Sequence, residues 1–197
     1  MNMTKIQNID KTLFTGDDLS RAFGITKKSA QVTASRYVKS NLLLRIKRDL
    51  YILPQNFKHL QEEELFSIAN LIQTPSYISL TTALSYYNLT TQQTPNFVES
   101  VALKRSKQTI IKDINFNYIL LKRDFYLGFI KNENFFIANP EKALADLIYL
   151  TAIGKNKADF DAVDFEKINK QQIDKYLTKS NKATKTLWQK LIKTYKL

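Results

Sequence analysis

Cysteine is absent from the 197 residues, which excludes disulfides, thiolate nucleophiles and every zinc site built on sulfur, and fits a reducing cytoplasm. Histidine is almost absent: His59 stands alone beside Lys58 in a polar stretch, where it reads as a solvated surface residue and not as a general base. No window approaches the roughly 18 uninterrupted apolar residues of a membrane span, and no N-terminal stretch joins basic residues to an apolar run and a small-residue cleavage site. Catalysis needs a base, a nucleophile or a metal cage, and the stock of each is thin. The sequence therefore predicts a cytoplasmic protein that is not an enzyme, with no cofactor and no metal. Glycine and proline number four each, against 44% hydrophobic and 24% charged residues, so the chain is expected to fold and not to be disordered.

Charge of one sign is abundant. Thirty Lys and Arg against eighteen Asp and Glu leave a net charge of +12, which favours a polyanion, because each phosphate neutralised releases condensed counterions. Residues 1–58 hold eleven of the basic and four of the acidic residues, a net of +7, while the other 139 residues carry +5. The expected polyanion-binding part is N-terminal, and two domains, 1–57 and 58–197, are predicted.

Thr15-Gly16-Asp17-Asp18 reads as a helix start, with Thr15 as N-cap and carboxylates in the first turn, where the helix dipole favours them. Leu19, Ala22 and Phe23 follow at helical spacing. Gly24 then ends the helix, and Thr26 caps a second one only two residues later, the spacing of a helix-turn-helix. From Lys27 to Ser40, Ala30, Ala34, Tyr37 and Val38 share one face. The other face carries Lys27, Lys28, Gln31, Thr33, Ser35, Arg36 and Lys39, and no acidic residue occurs between Asp18 and Asp49. Two apolar runs, Leu42–Lys47 and Leu50–Leu53, flank Arg48-Asp49 and predict a hairpin with a basic tip, a wing for a neighbouring phosphate or the minor groove.

Lys28, Gln31, Val32, Ser35 and Arg36 are the expected groove-facing residues. Gln31 and Arg36 suit bidentate contacts to adenine and guanine, and Lys27, Lys39, Lys47 and Arg48 are expected on phosphates.

The rest of the chain reads as a connector over Leu53–His59, a helix from Glu62 to Gln73, and an amphipathic helix over Tyr77–Leu89 with Ser79 as its cap. Short strands are predicted over Phe97–Leu103, Thr109–Ile111, Asn117–Leu121, Phe125–Ile130 and Phe135–Ala138. A helix starts at Asn139-Pro140-Glu141, and two more lie near Phe165–Leu177 and Ala183–Tyr195. The fold class expected is α+β: a winged helix-turn-helix followed by a larger mixed domain with a small, mainly antiparallel sheet. Lys104, Arg105 and Lys107 read either as a charged hairpin turn or as a second basic patch. Asp159, Asp161, Asp164 and Glu166 read as a solvated cap and not a metal site. Glu99 with Lys104 only faintly echoes a nuclease. Tyr118, Phe125, Tyr126, Phe129, Phe135 and Phe136 read as packing of the sheet and not as a base-stacking platform.

Gly24-Ile25-Thr26 through Leu44-Arg45-Ile46 resembles the winged-helix pattern of bacterial regulators. The hairpin residues Lys47-Arg48-Asp49-Leu50-Tyr51, the segment from Tyr77 to Tyr87 and the segment from Ala138 to Leu150 resemble the AbiEi family of antitoxins, with Leu50 where that family often has glycine. The resemblance spans most of residues 10–150. It implies a type IV antitoxin of an abortive phage-infection system, encoded beside a nucleotidyltransferase-like toxin. It also implies an N-terminal domain that represses its own operon at inverted repeats of double-stranded DNA, and a C-terminal domain that counters toxicity without necessarily binding the toxin. Two alternatives remain: a regulator unrelated to toxins that senses a small ligand in an apolar pocket, and an enzyme acting on nucleic acid, which requires clustered carboxylates.

Overall fold

The computed structural model describes residues 5, 6, 9–93 and 95–197, and divides into two compact units, Met1–Glu64 and Leu65–Leu197. The fold is α+β in both senses of the term, with helices beside a small antiparallel sheet in the first unit and beside a larger mixed sheet in the second. No described helix is long and apolar enough to cross a membrane.

In the first unit strand β1 (Leu13–Phe14) leads into helix α1 (Gly16–Phe23). Thr15 takes the Asp18 amide on its hydroxyl and returns its own amide to the Asp18 carboxylate, a reciprocal cap. Gly24, at φ 66°, closes the helix by donating to Arg21 and Ser20 carbonyls, a conformation that costs glycine nothing. Helix α2 (Lys27–Lys39) starts on Thr26, whose hydroxyl accepts from the Ser29 amide. The hairpin β2 (Leu44–Lys47) and β3 (Leu50–Ile52) turns at Arg48-Asp49, where Asp49 adopts φ 57°. β1 completes an antiparallel sheet of order β1-β3-β2, with Leu13 opposite Ile52 and Leu44 opposite Ile52 on the far side. That third strand is only two residues long, too short to show alternation.

Leu19, Ala30, Ala34, Leu43 and Tyr51 form the centre of the core, and Phe23, Tyr37 and Val38 pack against it. The alanines at the crossing of α1 and α2 let the helices approach closely. The stretch expected as a bare connector instead contains a single helical turn, α3 (Pro54–Lys58), which buries Phe57. Proline at the first helical position is pre-set for that turn and lacks only an amide the turn would leave unused.

The second unit begins within helix α4 (Glu62–Ile72). It continues through β4 (Ser76–Ile78), α5 (Leu80–Tyr86), β5 (Phe97–Ala102), β6 (Lys107–Ile111), β7 (Ile114–Leu120), β8 (Phe129–Asn132), β9 (Phe135–Ala138), α6 (Pro140–Ala152), α7 (Lys170–Leu177) and α8 (Lys182–Tyr195). Six strands pair in the order β6-β7-β5-β4-β9-β8. The pairs β5·β7 and β4·β9 are parallel and the other three antiparallel, so the sheet is mixed, mainly antiparallel as expected, and larger than the small one expected.

Other sequence expectations in this unit fail for identifiable reasons. Tyr77–Leu89 is not one amphipathic helix: Ser76–Ile78 is a central strand buried on both faces, and a strand with no polar face has no alternation to betray it. Phe125–Ile130 is not one strand: Arg123–Phe125 makes a 3-10 turn and Gly128, at φ 74°, redirects the chain before β8. Helix α6 is buried continuously from Lys142 to Leu150 and packs against α5, α7, α8 and β9, which makes it the centre of the unit.

Candidate nucleic-acid interface

The inward face of α2 is fixed by Ala30 and Ala34, so its outward face follows from helical geometry. Lys28, Gln31, Val32, Arg36 and Lys39 are exposed there in a single stripe, and Val32, 57% exposed, is an aliphatic side chain offered to solvent among cations. Ser35 is half-buried and differs from its neighbours in being engaged: the Arg45 guanidinium donates to its hydroxyl at 3.5 Å. Arg45 also lies over the Tyr51 ring at 5.8 Å. Strand β2 alternates, with Ile46 inside and Arg45 and Lys47 outside, so Arg45 joins the basic surface next to α2. The sequence reading passed over Arg45, although that alternation marks it.

Two acidic residues of this unit, Asp18 and Asp49, are drawn into structural roles. Asp18 accepts from Lys11 and Arg21, both at 2.7 Å, in addition to Thr15, and the Lys11 hydrogen bond above all holds its carboxyl well below the usual range. Asp49, at the hairpin tip, accepts from the Gly16 amide at 2.9 Å and so occupies the N-terminus of α1. A Cβ at Gly16 would stand 2.6 Å from the Asp49 carboxylate oxygen, so that carboxylate would have to shift.

One expected phosphate contact is spoken for. Lys27 pairs with Asp17 at 2.8 Å, which the gap in acidic residues along the sequence concealed because Asp17 belongs to the preceding helix. Both side chains are well exposed, and such a pair is worth about 0–1 kcal/mol, so a phosphate competes for Lys27 on equal terms. Among the described residues, Lys28, Arg36, Lys39, Arg45, Lys47 and Arg48 have no carboxylate within ion-pair distance.

The second unit arranges its expected features differently. Lys104, Arg105 and Lys107 do not sit in a hairpin turn. Residues 103–106 carry the chain from β5 to β6 with β7 lying between those strands, and the segment is pinned by Gln73 donating to the Arg105 carbonyl at 2.7 Å and by Leu120 donating to Ser106 at 2.9 Å. Lys104 and Arg105 are exposed and Lys107 half-buried. Asp159 and Asp164 each accept a backbone amide two residues on, and Asp164 pairs with Lys167 at 2.8 Å; no acidic or histidine cluster able to hold a metal ion occurs among the described residues. Glu99 is buried on β5 and accepts the Thr81 amide at 3.1 Å, while its own amide donates to Thr82. Burial pushes its carboxyl up to about 7.

His59 is exposed at the end of α3. Tyr118 is buried and donates to the Ala69 carbonyl at 2.6 Å, Phe125 stacks on Tyr149, Tyr126 and Phe129 pack on Tyr77, and Phe135 packs on Phe66. Phe136 is the exposed member of the aromatic set.

A polar cluster absent from the sequence reading lies inside this unit. Tyr77 and Ser79 both donate to one oxygen of Asp146, each at 2.9 Å, and Lys142 donates to the other; all four are at most 2% exposed. Burial raises the Asp146 carboxyl and outweighs the Lys142 charge that lowers it. The segments Tyr77–Tyr87 and Ala138–Leu150, far apart in sequence, are thus joined through their polar side chains.

No known family model matches the chain, and comparison with curated proteins finds no match either.

Proposed function

We propose that the chain is a DNA-binding regulator whose first unit is a winged helix-turn-helix. The observation that carries this reading is the stripe on α2: Lys28, Gln31, Val32, Arg36 and Lys39 are exposed together, with no carboxylate paired to them among the described residues, beside a hairpin that adds Arg45, Lys47 and Arg48. An α-helix fits the roughly 12 Å major groove of B-DNA. In this reading α2 enters the groove, Gln31 and Arg36 read base edges, Val32 packs on a thymine methyl, and the lysines and the hairpin grip phosphates. The order β1, α1, α2, β2, β3 supports it, since two short helices joined by a tight turn and followed at once by a β-hairpin is the order such a domain needs.

The resemblance to AbiEi antitoxins extends the proposal. The regulator is an antitoxin that represses its own operon from inverted repeats, acts in the cytoplasm, performs no catalysis, and opposes a nucleotidyltransferase-like toxin through its second unit. Gel-shift titration against the chain's own upstream promoter and against scrambled DNA of equal length, at two salt concentrations, tests the core of it. Tight binding to the promoter alone is expected. In the same assay Lys47→Ala is expected to weaken both DNAs alike and lower the salt slope by roughly one. Equal, weak binding to both DNAs by the unaltered chain would refute the assignment.

A further inference from the structure

Ser35 stands apart from the other residues expected on the groove-facing side of α2. With Ala30 and Ala34 inward, Val32 lies on the crest of the outward face, and Ser35, three positions on, is turned about 60° away from it. Ser35 is half-buried, whereas Lys28, Val32, Arg36 and Lys39 are exposed. The Arg45 guanidinium lies against that flank and donates to the Ser35 hydroxyl at 3.5 Å, a weak restraint by itself. A second restraint is firmer. Arg45 and Tyr51 are register partners on β2 and β3, and the guanidinium lies over the Tyr51 ring at 5.8 Å. That ring is 3% exposed and belongs to the core of the unit. The arginine is thus held from two sides in the crease between α2 and the hairpin. A guanidinium has five N–H donors. Ser35 takes one, no carboxylate pairs with Arg45 among the described residues, and the side chain is exposed, so the rest of its fork is open to an anion.

We propose that Arg45 is a preset phosphate clamp of the DNA site, and that Ser35 is a positioning residue acting through it and not a contact to a base. The inference rests on the DNA-binding reading of the first unit. A helix in the major groove turns its crest to the base edges and its flanks to the backbones that wall the groove, so an arginine on the flank meets phosphate. Arginine suits that partner because its planar fork makes two parallel N–H···O bonds to one phosphate. Ordering a free arginine at an interface weakens binding, and Ser35 and Tyr51 order this one beforehand. Neither Arg45 nor Ser35 carries sequence information in this arrangement.

The test is a double-mutant cycle with the full chain, read by fluorescence anisotropy on its own upstream promoter and on scrambled DNA of equal length, each at two salt concentrations. Arg45→Ala is expected to weaken both DNAs by a similar factor, about tenfold, and to lower the salt slope by roughly one. Ser35→Ala is expected to weaken both by about threefold with the slope unchanged, and to have no effect once Arg45 is alanine. Ser35→Thr keeps the hydroxyl and is expected to bind as the unaltered chain does. Because Arg45→Ala also uncovers Tyr51, Arg45→Lys serves as a second variant and denaturation midpoints check the fold of each. It keeps the charge and the stem but loses the fork, so a loss of about threefold is expected, with the slope retained and no further loss from Ser35→Ala. A Ser35→Ala effect confined to the promoter, or equally large with and without Arg45, makes Ser35 a base contact and overturns the proposal. So does undiminished binding by both Arg45 variants while the unaltered chain binds the promoter tightly. Failure of the unaltered chain to bind either DNA overturns the DNA-binding reading itself, and this inference with it.

Discussion

The two units treat ionisable side chains in opposite ways. In the first, Asp18 is the one buried polar residue among those described, and it touches Lys11, Arg21 and Thr15; every other charge is at or near the surface. The second buries Lys142, Asp146 and Glu99 and builds connections between distant segments from them. A surface charge contributes little to stability and is free to meet a partner, whereas a buried one is committed to the fold, because removing half of a buried pair strands the other half. Basic residues of the first unit are therefore expected to matter for binding, and the acids of the second for folding.

The largest effect that tests this contrast is Asp146→Ala. It leaves the Lys142 ammonium buried and deprives Tyr77 and Ser79 of their acceptor, and a loss of about 3–5 kcal/mol in chemical denaturation is expected. A loss under about 1 kcal/mol would show that the cluster is dispensable and would erase the contrast.

Next is the pH dependence set by Glu99. Its folded-state value of about 7 lies above the ordinary 4.5, so the protonated group's contribution is complete below about pH 4.5 and is lost as pH rises through 7. The stability lost over that interval is about 3 kcal/mol. Denaturation midpoints of Glu99→Gln are expected to be flatter than those of the unaltered chain between pH 5 and 8.

In the first unit, Arg36→Ala is expected to cost about 1–3 kcal/mol in promoter affinity, read by titration, with denaturation unchanged within about 0.5 kcal/mol. A large loss of stability from this exposed residue would break the comparison from the other side. The smallest effect is that of Thr15→Ala, which removes one half of the α1 cap and is expected to cost about 1 kcal/mol in denaturation, roughly equally at pH 5 and 8.

What was legible in the sequence is what local chemistry encodes. Thr15, Gly24, Thr26 and Pro140 announce helix boundaries because capping and φ preferences act within a few residues, and the hairpin around Arg48-Asp49 shows in two apolar runs separated by a polar turn. The outward stripe of α2 followed from the alanines opposite it. Pairings between remote segments did not show. The parallel neighbours β5·β7 and β4·β9, the two-residue β1 and the Tyr77–Ser79–Lys142–Asp146 cluster each depend on residues tens of positions apart, and no periodicity records them. Lys27 and Arg45 fell between these cases: each was identifiable as basic, but its partner, Asp17 or Ser35, lay on a different element.

The contact between Asp49 and the Gly16 amide has a kinetic consequence. A β-hairpin loop tethered only at its base samples many orientations and must be frozen when a ligand arrives, at a cost in entropy and in productive encounters. Here the tip is already moored to the start of α1, and Arg48, the adjacent residue, inherits that restraint. If the first unit binds DNA as proposed, its basic surface is thus assembled before the DNA approaches. On that proposal, capture would be governed by long-range attraction and ionic strength, and the lifetime of the complex by the contacts made afterwards.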